Sequence, residues 1–76
     1  MERSEELERV DRFLEYLAVD RGWHTLEECA GVLGVGLDTA REVVRLLASV
    51  GFVDYDEGRG VVRISPDLAG FIVESP

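Results

Sequence analysis

The stretch from residue 25 to residue 50 most strongly limits the fold, because it holds two helical patterns separated by a turn from Gly34 to Gly36. Thr25 and Glu28 form a capping box, a pattern typical of helix starts, and predict a helix over 26–33. Its apolar positions recur at helical spacing and predict a buried stripe of Leu26, Cys29, Ala30 and Leu33. Gly34 suits the left-handed position that ends a helix.

A third helix is predicted over 37–50, with Gly36 as its N-cap and Gly51 just past its last turn. The apolar spacing predicts a core face of Ala40, Val43, Val44, Leu47 and Val50. The opposite face carries Asp38, Thr39, Arg41, Glu42 and Arg45. The chain therefore presents a polar helix face with two arginines one turn apart.

The residues before this unit predict a first helix over 4–20, capped by Ser4. Its apolar face comprises Leu7, Val10, Phe13, Leu14, Leu17 and Ala18. Trp23 follows in a short extended piece and is expected to anchor the core, with an interface as the alternative. His24 has no second histidine near it, so a metal site is not expected.

Residues 52–64 predict a β-hairpin, because residues 52–56 alternate apolar and acidic, a glycine turn spans 57–60, and residues 61–64 form the return strand. Ser65 and Pro66 then signal a short helix over 66–73. Its apolar residues are Leu68, Phe71 and Ile72. Packing on the first helix and contact with a second copy or another partner both remain open for them.

Seventy-six residues fit a single domain over 1–76, and so small a core makes a homodimer plausible. The 8 basic residues, all arginine, and 16 acidic residues give a net charge of −8. The missing lysine, asparagine and glutamine fit heat adaptation, high salt or a GC-rich genome. With no signal peptide and no membrane-length apolar run, the sequence predicts a cytoplasmic protein without a membrane partner.

The segments Thr25-Leu-Glu-Glu-Cys-Ala-Gly-Val-Leu-Gly-Val-Gly36 and Arg45-Leu-Leu-Ala-Ser-Val-Gly-Phe-Val53 carry a family resemblance. Together with the element order, they resemble the winged helix-turn-helix domain of MarR-like and ArsR-like small transcriptional regulators. The resemblance spans about residues 22–65 and resolves no subfamily. It implies an α+β, mostly helical fold with a three-helix core, a β-hairpin wing and a short C-terminal helix.

The resemblance also implies a function as a transcriptional regulator that binds double-stranded DNA. Helix 37–50 would enter the major groove, while the wing would reach the backbone or the minor groove. The implied DNA-binding residues are Leu37, Asp38, Thr39, Arg41, Glu42, Arg45, Arg59 and Arg63. The chain departs from the family pattern at Gly36, where serine or threonine is usual, and in the acids of helix 37–50 and the wing.

The charge of the chain keeps a second interpretation open. A body of net charge −8 repels the duplex, so the same elements would also suit a protein–protein interaction module in a larger assembly. No enzyme is predicted, because there is no phosphate loop and no histidine dyad. We expect Cys29 to be a small buried apolar group, and we expect no catalytic residue, cofactor or metal.

Overall fold

The computed structural model of the protein describes residues 5–68, with side chains described from residue 8 onwards. It is α+β and mostly helical, with a three-stranded antiparallel sheet, which confirms the predicted coarse class. In chain order the elements are α1 (Glu5–Val19), β1 (His24–Thr25), α2 (Leu26–Leu33), α3 (Leu37–Ser49), β2 (Val53–Asp56) and β3 (Val61–Ile64).

The turn between α2 and α3 follows from local chemistry at the helix ends. The side-chain oxygen of Thr25 accepts the backbone N–H of Glu28 at 3.1 Å, which caps α2. Gly34 has φ 72° and donates its N–H to the carbonyl of Ala30 at 2.8 Å, so α2 ends in the left-handed conformation that glycine favours. Gly36 precedes α3 without a side-chain cap, as the sequence predicts.

The hairpin β2–β3 also lies where the sequence predicts it, and β3 is the central strand in the order β1-β3-β2. Val53 pairs with Ile64 at the open end of the hairpin, and His24 of β1 pairs with Val62 of β3. The register sends Val62 and Ile64 into the core and Arg63 to the opposite face. A two-residue strand therefore joins the hairpin to the helices.

One apolar core lies between the sheet and the three helices. Phe13, Leu17 and Val44 are almost completely buried within it, and burying a side chain of this size contributes about 1.5–3 kcal/mol. The stripe predicted for α2 is confirmed, since its four members are buried: Leu26, Cys29, Ala30 and Leu33. Val10 and Val43 are only partly buried but pack against this core.

Two predicted core residues are exposed instead. Val50 is 57% exposed because it is the C-cap of α3, with φ −97° and ψ 2°, and the chain leaves the helix there. Trp23 is 43% exposed because strand alternation buries His24 and turns its neighbour outward. Both predictions were wrong: the helical spacing was extended past the end of α3 for Val50, and the size of Trp23 was taken as a sign of burial.

The ends of the chain are described only in part. Helix α1 is described over Glu5–Val19, one residue short of the predicted end, and residues 1–4, including the predicted cap Ser4, lie outside the described range. Residues 66–68 are helical, and Leu68 is partly buried against the core, while Phe71 and Ile72 of the predicted helix 66–73 lie outside the description. None of the helices within residues 5–68 has the length and apolar content of a membrane crossing.

Candidate functional site

The outer face of α3 carries most of the residues that the sequence assigns to DNA. Asp38, Glu42 and Arg45 are exposed, and Arg41 is partly buried. At about 100° per residue, Arg41 and Arg45 differ by only about 40° around the helix axis. The two guanidinium groups therefore lie on one side of α3, one turn apart. Leu37, in the first turn, is also exposed.

Each of these two arginines has an acidic partner. Arg41 Nη1 lies 3.1 Å from Asp38 Oδ1 in the preceding turn of the same helix. Arg45 Nε lies 2.8 Å from Glu57 Oε2 in the hairpin turn, and the two side chains are 56% and 58% exposed. The second contact places the hairpin turn beside the middle of α3.

The hairpin turn adds a third arginine to this region. Asp56 accepts the backbone N–H of Arg59 at 3.2 Å through its Oδ1, which fixes the turn two residues beyond Glu57. Among residues 5–68, no ion pair is formed by the Arg59 guanidinium. We call the set Asp38, Arg41, Glu42, Arg45, Glu57 and Arg59 the α3–hairpin surface. Three arginines and three acids make its net charge zero within a chain of net charge −8.

Two other predicted DNA-binding residues lie elsewhere. Arg63 is on the outward face of the sheet, where its Nε lies 3.0 Å from Asp54 Oδ2 and its guanidinium carbon lies 4.7 Å from the Trp23 ring centroid. Thr39 is exposed but lines an apolar cleft of about 110 Å³ beside α1, on a different side of α3 from Arg41. The cleft is lined by Arg9, Val10, Leu33, Val35, Thr39 and Val43.

Exposed apolar side chains cluster at the C-terminal end of α3. Leu46 is 65% exposed, Val50 follows it one turn later, and Phe52 is 39% exposed at the start of the hairpin. We call these three residues the apolar patch. The patch was not predicted, although Leu46 lies off the core stripe of α3 and thereby signals an apolar residue on the outer face.

A polar cluster at the junction of α1, β1 and α2 was also missed. His24 is 4% exposed, and its Nδ1 lies 2.7 Å from Glu28 Oε2 while its Nε2 lies 2.7 Å from the Asp20 carbonyl oxygen. The Tyr16 hydroxyl donates to the same Glu28 oxygen. Among the described residues, Glu28 makes no return bond to the backbone of Thr25, so only half of the predicted capping box forms. The four-residue spacing of His24 and Glu28 was the usable sequence signal, because Asp20 contributes only its backbone carbonyl.

The cluster shifts the acidity of its members. Burial lowers the pKa of His24. The hydrogen bonds to the Asp20 carbonyl and the Glu28 carboxylate raise it by more than burial lowers it, so the pKa lies above its ordinary value. The hydrogen bond from Tyr16, followed by that with His24, lowers the pKa of Glu28. Burial raises the pKa of the Cys29 thiol to about 11, which agrees with a buried structural cysteine.

Comparison with known proteins adds no assignment. No protein-family model matches the chain, and a search of curated proteins gives no significant match. Within residues 5–68, no three metal-ligating side chains come together in a cluster. The candidate functional site is therefore the α3–hairpin surface, characterised by its own geometry and charge.

Proposed function

We propose that this protein is a winged helix-turn-helix regulator that binds double-stranded DNA in the cytoplasm through its α3–hairpin surface. In this proposal, α3 enters the major groove, and the hairpin is the wing that reaches the backbone or the minor groove. One observation carries the proposal: the Arg45–Glu57 contact brings the hairpin turn, with Arg59, beside the arginine face of α3. The hairpin turn thus carries a third arginine next to the helix that carries the other two.

The ion pairs on this surface do not block a DNA contact. The acids that pair with Arg41 and Arg45 are exposed, and an ion pair open to solvent contributes only about 0.2–1 kcal/mol. An arginine can exchange such a partner for a phosphate, with which it forms charge-assisted hydrogen bonds. Because the acids stay in place, we expect weak binding by one copy. A homodimer would present six arginines and raise the affinity.

The test is a fluorescence anisotropy titration of labelled duplexes, of mixed and genomic sequence, at low salt. Arg41→Ala and Arg45→Ala should each weaken binding by roughly fivefold or more and flatten its salt dependence. Arg12→Ala, an exposed change on α1, removes the same charge and serves as the matched control. Absence of binding by the unmodified protein at low salt, or equal losses in all three variants, would contradict the proposal.

The apolar patch favours a second candidate function, a protein–protein interaction module. Leu46, Val50 and Phe52 are exposed at and just after the end of α3, and they offer apolar surface that DNA backbone contacts do not use. A partner protein would cover this patch. The net charge of −8, which repels DNA, does not oppose such a partner.

One pair of variants distinguishes the two candidate functions. With the protein as bait, Leu46→Ser should abolish capture of a specific partner, whereas Val19→Ser, at an exposed valine on α1, should not. If Leu46→Ser leaves capture unchanged, or if no specific partner is captured, the interaction candidate fails. Measuring duplex binding by the same variants shows whether the patch and the arginines act independently.

A further inference from the structure

His24 is buried in a position that calls for two hydrogen-bond donors. Its Nδ1 faces a carboxylate oxygen of Glu28 and its Nε2 faces the carbonyl oxygen of Asp20, both at 2.7 Å. A carbonyl cannot donate, and the Glu28 oxygen already accepts the Tyr16 hydroxyl. A neutral imidazole has one N–H, so it would leave a ring lone pair against an oxygen lone pair. Only the imidazolium satisfies both contacts.

The surroundings of the ring favour its positive charge. From the end of α1, the Tyr16 ring lies 5.3 Å from the imidazole centroid, and the Asp20 carboxylate accepts the Gly22 N–H at 3.2 Å. From β3, the residue opposite His24 is the apolar Val62. The titratable and charged groups around the imidazole are therefore Tyr16, Asp20 and Glu28.

The same ring joins the helical part of the protein to the hairpin. Its two contacts connect the residue after α1 with the first turn of α2. His24 itself pairs with Val62, and the next residues continue the attachment, because Leu26 donates its backbone N–H to the Gly60 carbonyl at 3.0 Å. On its β1 side, the hairpin is thus attached to the helices through a junction with His24 at its centre.

We propose that His24 is a clamp that depends on protonation. As an imidazolium, it holds α1, β1 and α2 together. When the ring loses its proton, the junction is released, and the hairpin with it. The direction of the pH dependence follows from the two hydrogen-bond partners of His24, which favour the charged ring. Because the pKa of His24 is raised in the folded protein, the clamp contributes fully below the unfolded pKa of about 6.5. Its contribution is lost as the pH rises through the folded pKa.

The first test is the NMR titration of the imidazole. His24 is the only histidine in the chain, so its ring resonances are assigned directly. We expect both ring nitrogens to carry protons at pH 6.5 and the folded pKa to exceed that of a histidine in the denatured protein. Glu28→Gln should lower the pKa of His24, whereas Glu27→Gln, an exposed neighbour with the same charge change, should have a smaller effect. A neutral ring at pH 6.5, or equal effects of the two variants, would overturn the proposal.

The second test asks whether the clamp controls the hairpin. Hydrogen-exchange protection of the Leu26 amide, corrected for intrinsic pH dependence, should fall at least severalfold as His24 deprotonates. The Phe52 amide, which donates to Leu47 on the other side of the hairpin, is the reference. His24→Gln, which does not titrate, should remove the pH dependence at Leu26. Unchanged protection of Leu26 in the unmodified protein while the ring titrates would overturn the coupling.

Discussion

Replacing Glu57 by glutamine should strengthen DNA binding, because it removes the carboxylate that holds Arg45. The structure places Arg45 Nε 2.8 Å from Glu57 Oε2, with both side chains more than half exposed. In the unmodified protein, a phosphate has to compete with this carboxylate for the guanidinium. In Glu57→Gln, the competitor loses its charge while the size and shape of the side chain stay nearly the same.

The size of the effect follows from the exposure of the pair. An ion pair at this exposure is worth about 0.2–1 kcal/mol, and 1.4 kcal/mol corresponds to a tenfold change in affinity. The variant should therefore bind duplex DNA roughly 1.4- to 5-fold more tightly. Because Arg45 contacts a phosphate in the bound state of both proteins, the slope of log K against log salt concentration should change by less than the value of about 0.9 for one added phosphate contact.

The assay is duplex anisotropy at several salt concentrations, with Glu15→Gln on α1 as the control. Both substitutions change the net charge from −8 to −7, so long-range repulsion falls equally in the two variants. A gain confined to Glu57→Gln supports a direct competition at Arg45. An equal gain in both variants, or a loss in Glu57→Gln, would refute the reasoning that Arg45 contacts DNA.

Two further predictions concern α2 and its C-cap. Gly34→Ala should destabilise the protein by about 1–2 kcal/mol because Gly34 has φ 72°. Gly31→Ala, within α2 and with open space around it, should stabilise the protein by about 0.5–1 kcal/mol. Urea denaturation measures both changes, and a shift of the same sign in the two variants would contradict the prediction. Cys29, with a pKa of about 11 and no exposed surface, should react with a disulfide reagent at pH 8 roughly a hundredfold or more slowly than a free thiol, and a fast reaction in the native state would contradict this.

Most of the fold was predictable because its signals are local. The cap at Thr25 and the glycine at residue 34 each act on neighbouring backbone groups, so they fixed the bounds of α2 without any tertiary information. The hairpin was predictable for a similar reason, since its alternation and turn lie within thirteen residues. The errors at Trp23 and Val50 arose at element ends, where the side-chain direction depends on how the next segment packs.

The candidate site was less predictable, because its contacts join residues that are distant in sequence. The identity of Arg45 was readable, but its pairing with Glu57, twelve residues away, depends on where the hairpin folds back on α3. The cluster at His24 likewise needs Tyr16 and Glu28 to be brought together from two helices. Sequence patterns named the arginines and the acids of both elements, but they did not show that Arg45 pairs with Glu57.

An NMR titration of the ¹⁵N-labelled protein with a mixed-sequence duplex at low salt tests the central claim most directly. Non-specific DNA affinities of about 10⁻⁴–10⁻⁶ M suit this method, and it locates the contact as well as detecting it. We predict that the largest amide shifts fall on α3 and the hairpin turn, around Arg41, Arg45 and Arg59. An absence of shifts, or shifts centred on α1 or the outward sheet face, would contradict the claim that the α3–hairpin surface binds DNA.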